Sequence, residues 1–241
     1  EPGDAVDPGV TLDMAQTRYE FKAGLKNPFS GLDSLKFSFS RTDYTHTEFE
    51  GNDVGTIFVS DGDQYRLEAV HSKAGVWQGA FGLQASRREF NAIGDEAFVP
   101  YTKTRGLGIF ALEQAEWSAF TLELGARYDK QSSTPDGGSK RDFSLTSLSA
   151  GGRWEFSEAW HLSLNLDRAQ RAPAEEELFA NGPHAATATF EIGNPNLEKE
   201  TSNQLELGLH YHSDFMSGKF ALYRNKFDNF IYLNDTGLFD P

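Results

Sequence analysis

The chain contains no cysteine and no long apolar run. Without cysteine, a disulfide framework and a thiolate metal site are both excluded. A membrane-spanning helix needs about 20 consecutive apolar residues, and the mean hydropathy of the 241 residues is −0.53. Hydropathy alone therefore indicates a soluble protein. Transmembrane β-barrels escape this test, because polar and apolar residues alternate along their strands.

Basic residues are scarce as well. The sequence has 22 lysines and arginines against 36 aspartates and glutamates, a formal net charge of −14. Proteins that bind nucleic acid usually carry a basic footprint, so this balance argues against a nucleic-acid partner. It suits a surface that attracts cations.

Motifs of common enzyme classes are also absent. The sequence has no glycine-rich phosphate loop after a strand, no G-x-S-x-G elbow and no HExxH zinc motif. A surface protease built from Asp and His residues would need a base and an orienting partner, and no such pair is readable from the spacing. We therefore predict that the chain is not an enzyme and has no catalytic cofactor.

What the sequence does contain is a series of segments with strand-like alternation. They are nearer 12 residues long than the 5–6 typical of sandwich strands, about the length that crosses a bilayer when tilted. A soluble sandwich also alternates, so alternation alone does not separate the two folds. The ten predicted strands are residues 12–26, 35–46, 64–72, 76–90, 104–116, 119–130, 143–156, 160–171, 201–213 and 218–233.

The predicted connections differ in length from one end of the strands to the other. Short turns at one rim and long loops at the other are typical of bacterial outer-membrane barrels. The short connections are residues 27–33, 73–75, 117–118, 157–159 and 214–217, and the long ones are residues 47–63, 91–103, 131–142 and 172–200.

All four tryptophans lie at or near the short turns, namely Trp77, Trp117, Trp154 and Trp160. Indole rings gather at membrane–water interfaces, so this placement predicts an aromatic girdle at one rim. Large aromatic side chains also cap ordinary β-cores, which leaves a second interpretation open.

The connection over residues 172–200 shows neither a strand nor a helix pattern. Three proline-containing breakers punctuate it, at Ala172-Pro173, Asn181-Gly182-Pro183 and Gly193-Asn194-Pro195. Structureless loops of this length are uncommon in compact proteins and are usually functional.

Candidate metal ligands lie in two of the long connections. Imidazole and carboxylate groups together suit zinc. His46, Glu48 and Glu50 alternate and would share one face of an extended segment, while His184 follows the Gly182-Pro183 turn. We predict a metal site from His184, Glu48, Glu50 and His46, although each could instead be a solvated loop residue. The other histidines, His71, His161, His210 and His212, are predicted to be structural.

The string ELFANGPHAATATFEIGNPNLEKETSNQLELGL resembles a segment of the barrel of TonB-dependent outer-membrane receptors. Residues 17–51 and 94–104 are similar to the branch of that family that includes zinc-uptake receptors. The motif is carried by Pro173, Leu197, Glu200 and Ser202 and by residues 177–179, 182–184, 186–187, 190–191, 193–195 and 206–208.

This resemblance implies an all-β antiparallel transmembrane barrel of 22 strands with an N-terminal plug, in the outer membrane of a Gram-negative bacterium. Residues 1–241 would form about ten consecutive strands from its interior, with no plug, no TonB box and no C-terminal closing strand. The implied partners are the TonB-ExbB-ExbD system, outer-membrane lipid and a metal ion or chelate. Zinc would be the transported ligand.

Other interpretations remain open at this point. A haem or siderophore receptor is one, because an exposed loop histidine serves haem equally well. A closed ten-stranded barrel acting as an adhesin or surface protease is another, and a soluble β-sandwich is a third. The closed barrel requires strands 12–26 and 218–233 to pair with each other, whereas part of a larger barrel leaves both as edges.

Overall fold

The computed structural model describes residues 10–94, 97–184 and 189–237, and most of them form one antiparallel sheet of ten strands. A separate two-stranded hairpin and one short helix lie between the eighth and ninth strands of that sheet. The elements are β1 (Val10–Phe29), β2 (Leu32–Glu50), β3 (Asp53–His71), β4 (Trp77–Ile93), β5 (Thr102–Trp117), β6 (Phe120–Pro135), β7 (Arg141–Glu155), β8 (Trp160–Arg171), α1 (Glu175–Phe179), β9 (Asn181–His184), β10 (Thr189–Ile192), β11 (Glu200–His212) and β12 (Ser217–Asp228).

The order of strands in the large sheet is β1 to β8, then β11 and β12. The ten predicted antiparallel strands are therefore confirmed. Within the described ranges β1 and β12 each pair with a single neighbour, so the sheet is open and the alternative of a closed ten-stranded barrel is wrong. The soluble sandwich is also wrong, because no second large sheet covers the described part of the first.

Three of the four connections predicted to be long are much shorter in the structure. The predicted loops at residues 47–63, 91–103 and 131–142 shrink to residues 51–52, 94–101 and 136–140 because the strand ladders continue into them. In these stretches backbone pairing persists while the apolar–polar alternation fades. Strand ends with water on both faces no longer need one apolar face, so the sequence pattern disappears before the strand does.

The sheet has two faces of opposite character. Residues directly opposite each other in an antiparallel ladder share a face, so the register sorts the side chains. One face, here called the apolar face, carries large side chains that remain exposed, including Phe21, Leu83, Ile109, Leu148, Leu166, Leu207 and Leu222. An apolar surface this extended calls for lipid or a partner to cover it.

The four tryptophans lie on the apolar face at the short-turn rim, as predicted. Trp77 and Trp117 contact each other edge-on, with ring centroids 6.4 Å apart. Trp160 lies opposite Tyr211, with centroids 4.7 Å apart, and Trp154 pairs with Phe120 and Leu162. This is the arrangement of an interfacial aromatic girdle.

The other face, here called the polar face, carries the buried core of the described residues. One cluster of Phe143, Leu145 and Leu178 forms where α1 packs onto β7. A second contains Phe58, Phe90, Ala92, Phe98, Val99 and Ala180. The prediction of a structureless connection is thus corrected, since residues 172–199 contain a helix and a hairpin that dock on the sheet. Among the described residues, no helix is long and apolar enough to cross a membrane.

Candidate metal site

His184 ends the first strand of the β9–β10 hairpin. The hairpin pairs Thr189 with His184 and Glu191 with Gly182, so His184 and Glu191 are diagonal neighbours within side-chain reach. Its first strand is fixed to the segment after β4, because the Asn181 amide donates a hydrogen bond of 2.7 Å to the Phe98 carbonyl. A Cβ at Gly182 would come within 3.1 Å of Phe98, so a larger residue there would require the Phe98 segment to shift by a few tenths of an ångström.

Glu191 determines which nitrogen of His184 carries a proton. The Nδ1 atom lies 2.7 Å from Glu191 Oε1. An ionised carboxylate can only accept, so Nδ1–H is the donor, and in the neutral imidazole Nε2 holds the lone pair. A carboxylate behind an imidazole is the usual arrangement around metal-ligating histidines, because it fixes the tautomer and the ring orientation.

Glu48 approaches the other side of the same ring. His184 Nε2 lies 4.0 Å from Glu48 Oε1, and the Glu48 side chain is only 6% exposed. The second oxygen, Oε2, is buried without a hydrogen-bond partner in the structure. A buried carboxylate oxygen without a partner carries a desolvation cost that a cation would relieve.

Aromatic rings line the site on one side. His184 stacks on Phe98 with ring centroids 4.4 Å apart, and Phe98 meets Phe58 edge-on at 6.0 Å. His46 stacks on the Phe58 ring at 4.5 Å, and within the described ranges its Nδ1 atom is buried without a hydrogen-bond partner. These rings reduce the contact of His184 and Glu48 with water and so strengthen the electrostatic interactions there.

Ion pairs and hydrogen bonds of two arginines hold the connection that carries His184 against the sheet. Arg171, at the end of β8, binds both carboxylate oxygens of Glu177 at 2.8 and 2.9 Å and also reaches Glu200 at 3.3 Å. Arg141 donates to the Pro195 and Leu197 carbonyls on the far side of the hairpin. The connection is therefore tied to the sheet near both of its ends.

Helix α1 also brings a buried carboxylate onto the polar face. Glu175 is 3% exposed and pairs with Arg88 at 2.8 Å. Burial, reinforced by the neighbouring charge of Glu176, raises the pKa of Glu175, and Arg88 only partly offsets this. The charge of this carboxylate therefore weakens the docking of α1 at neutral pH.

The structure brings together two of the four predicted ligands, His184 and Glu48. His46 lies on the same face of β2 two residues before Glu48, stacked on Phe58. Glu50 is exposed and pairs with Asp53 beside the β2–β3 turn, beyond a register shift between Thr47 and Phe49. No three His, Asp or Glu side chains within the described ranges already converge as a ready metal site.

Sequence reasoning missed Glu191 and Phe98. Both depend on pairings between segments that have no strand pattern of their own, and the repeated Gly-Pro and Gly-Asn-Pro breakers around the hairpin were the only available signal. The remaining histidines lie at the short-turn rim. His71 on the apolar face contacts Glu113 at 3.1 Å, and His161 and His210 face each other across β8 and β11.

A family model described as "TonB dependent receptor-like, beta-barrel" matches residues 3–240. Among individual proteins, hemoglobin-haptoglobin utilization protein B of Neisseria meningitidis serogroup C is 30% identical over 134 residues, which cover 49% of this chain and 16% of that protein. The chain is thus similar to about a sixth of the length of this relative.

Solved structures of similar fold include the copper transporter OprC, with a TM-score of 0.77 at 15% identity, covering 92% of this chain and 39% of that one. The Serratia marcescens hemophore receptor HasR, solved with its hemophore HasA and heme, gives 0.72 at 17% identity, covering 92% and 41%. The FrpB iron transporter of Neisseria meningitidis gives 0.67 at 14% identity, covering 88% and 37%. At these identities the likeness concerns the fold.

Proposed function

The chain belongs to the TonB-dependent receptor β-barrel family, and from this premise we propose that it carries part of the ion-capture site of a receptor for zinc uptake. Barrels of this family are outer-membrane proteins of Gram-negative bacteria, and they are transporters and receptors without a catalytic cofactor. The apolar face then meets lipid and the polar face lines the barrel interior. Because the chain spans about two fifths of its solved structural relatives, its cargo and partners are proposals.

The distance of 4.0 Å between His184 Nε2 and Glu48 Oε1 is the observation that favours a bare metal ion as the cargo. Zinc binds nitrogen and carboxylate oxygen at about 2.0–2.2 Å, which separates two tetrahedral ligands by roughly 3.4 Å. A movement of about half an ångström would therefore let both atoms bind one ion. The unpaired Glu48 Oε2 supplies the uncompensated negative charge.

The local charge also favours a divalent cation. Two carboxylates, Glu48 and Glu191, lie on opposite sides of one imidazole. Even a protonated His184 would leave this group with a net negative charge. Zinc would neutralise it, with Glu191 orienting the ring and His184 and Glu48 as direct ligands. His46 and Glu50 would then lie outside the pair that binds the ion, and water or other parts of the receptor would complete the coordination.

Transport follows from the family's mechanism. Ions captured at the long-connection rim would pass through the barrel when the TonB-ExbB-ExbD system acts on a plug domain. In this proposal zinc is cargo and is released at the periplasmic side.

The capture site is tested by zinc calorimetry on the receptor that contains this chain. We expect His184→Ala and Glu48→Gln each to weaken zinc binding at least about tenfold, since even loss of a partner behind a ligand costs about 10–100-fold. Glu191→Gln should fall in that second range. His71→Ala is the matched control, because it removes an imidazole at the opposite rim. Unchanged zinc affinity in His184→Ala would overturn the site.

Haem is the second candidate cargo, because the names of two similar proteins refer to haemoglobin and heme. Against it, the Phe98 ring covers one face of His184, and Glu48 occupies the space beside Nε2. A hemin titration followed by Soret absorbance separates the two. Hemin binding that depends on His184, with no zinc binding, would replace zinc by haem as the cargo.

A further inference from the structure

Two histidines face each other at the short-turn rim, at the opposite end of the strands from the Glu48–His184 pair. His161 near the start of β8 and His210 near the end of β11 are direct cross-strand partners. Their rings stack with centroids 4.3 Å apart and planes inclined by 13°. Two imidazolium ions would repel each other at this distance, whereas a neutral imidazole carries a lone pair on one ring nitrogen.

The backbone leaves room for these rings. A Cβ at Gly208 would lie 3.0 Å from His210 Nε2 and 2.5 Å from Ser163 Oγ. The His210 ring therefore leans over Gly208 into space that any side chain at that position would fill. Because Gly208 lies opposite Ser163, both rings rest against small residues.

Charged groups surround the pair but already have partners. Glu155 lies opposite His161 on β7 and pairs with Arg153 at 2.6 Å. Lys219 lies opposite His210 on β12 and pairs with Glu206 at 3.6 Å. Among the described residues, neither imidazole of the pair takes part in a salt bridge, so their nitrogens are not engaged by a fixed charge.

We propose that His161 and His210 form a second, weaker transition-metal site on the interior wall of the barrel near its periplasmic exit. Side chains directly opposite in a ladder have Cβ atoms about 4.5–5.5 Å apart. Rotation of the two rings from face-to-face toward edge-to-edge would bring one nitrogen of each to the roughly 3.4 Å spacing of two ligands on zinc. Imidazole nitrogens suit zinc, copper and nickel ions.

Two protein ligands make a weak site, with water in the other positions. Such a site would hold an ion briefly rather than retain it, which suits a wall position along an exit path. The pair is independent of the Glu48–His184 site, because different strands position it. Only its role in transport rests on the proposed function.

The test is zinc calorimetry on the full receptor in the His184→Ala background, where the site at the opposite rim is removed. We expect a weak class of about one zinc ion to remain in that background and to disappear in His184→Ala combined with His161→Ala or with His210→Asn. Asparagine keeps the size and polarity of the site and guards against loss of folding. His184→Ala combined with His71→Ala is the matched control and should keep the weak class.

Each outcome is informative. A weak class that persists after removal of either His161 or His210, or that is absent from the His184→Ala receptor, overturns the second site. A wild-type receptor without tight zinc binding, but with a weak class that needs both histidines, overturns the proposed capture site and leaves the second site standing.

Discussion

His184 and the His161–His210 pair present imidazoles to the same side of the sheet, yet the fold positions them differently. His184 depends on a connection of nearly thirty residues, held by α1, Arg171 and the Phe98 segment. His161 and His210 are positioned by strand register alone. A side chain placed by strand register tolerates changes elsewhere, and its location can be predicted from the alternation in the sequence. A side chain placed by a docked loop depends on contacts between residues that are distant in sequence.

The largest expected effect on this difference between the two sites comes from releasing the connection that carries His184 from the sheet. Leu178 is 1% exposed and packs against Phe143 and Leu145, so Leu178→Ala should cost about 2–5 kcal/mol of packing. We expect faster hydrogen exchange in residues 175–184 and at least tenfold weaker zinc binding at the Glu48–His184 site. The weak binding at His161 and His210 should not change.

Leu148→Ala is the control for this variant. It deletes the same atoms from a side chain that is half exposed on the apolar face and should leave both zinc classes intact. A Leu178→Ala receptor with slow exchange in residues 175–184 would contradict the idea that this contact holds the connection.

A smaller effect is expected from a substitution beside the His161–His210 pair. Gly208→Ala places a methyl group against His210 Nε2 and Ser163 Oγ. We expect weak zinc binding to fall about tenfold, or about 1.4 kcal/mol, while tight binding at Glu48 and His184 stays the same. Gly24→Ala is the matched control, because the atom nearest to the added methyl group, the Leu35 carbonyl oxygen, would be 3.8 Å away. Equal effects of the two alanines on weak binding would remove the steric explanation.

The smallest expected effect concerns pH. Burial raises the pKa of Glu175 above its value of 4.5 in the unfolded chain. Protonation therefore favours the docked helix, a contribution fully present below pH 4.5 and lost as pH rises through the raised folded-state pKa. Compared with Glu175→Gln, the native connection should gain protection from proteolysis as pH falls from 7 toward 5. A native and variant protein with parallel pH profiles would show that Glu175 does not contribute.

Most of the fold was predictable because the side chains of a barrel strand alternate between its two faces with a period of two residues. The alternation of Leu162, Leu164 and Leu166 with polar neighbours predicted β8 correctly, and the tryptophans identified the short-turn rim. The strand ends were not predictable. From Arg41 to Thr47 the outward side chains of β2 are charged or polar, as at Asp43, although the ladder continues to Glu50.

The candidate site was predictable only in part. His184 and Glu48 were identified by residue type and by the turn before His184, but their proximity depends on how the β9–β10 hairpin docks. Glu191 could not be assigned, because its role arises from the diagonal pairing with His184 across a four-residue strand. Such short strands leave no periodic signal in the sequence.

The length of β2 and β3 determines how far this hairpin extends beyond the membrane. Nineteen residues at about 3.3 Å each span roughly 60 Å along the strand, and a tilt of about 45° leaves roughly 45 Å along the membrane normal, against about 30 Å of hydrocarbon in a bilayer. In an outer-membrane barrel, the tip at Gly51 and Asn52 would therefore lie in the water beyond the hydrocarbon layer, a few residues past Glu48.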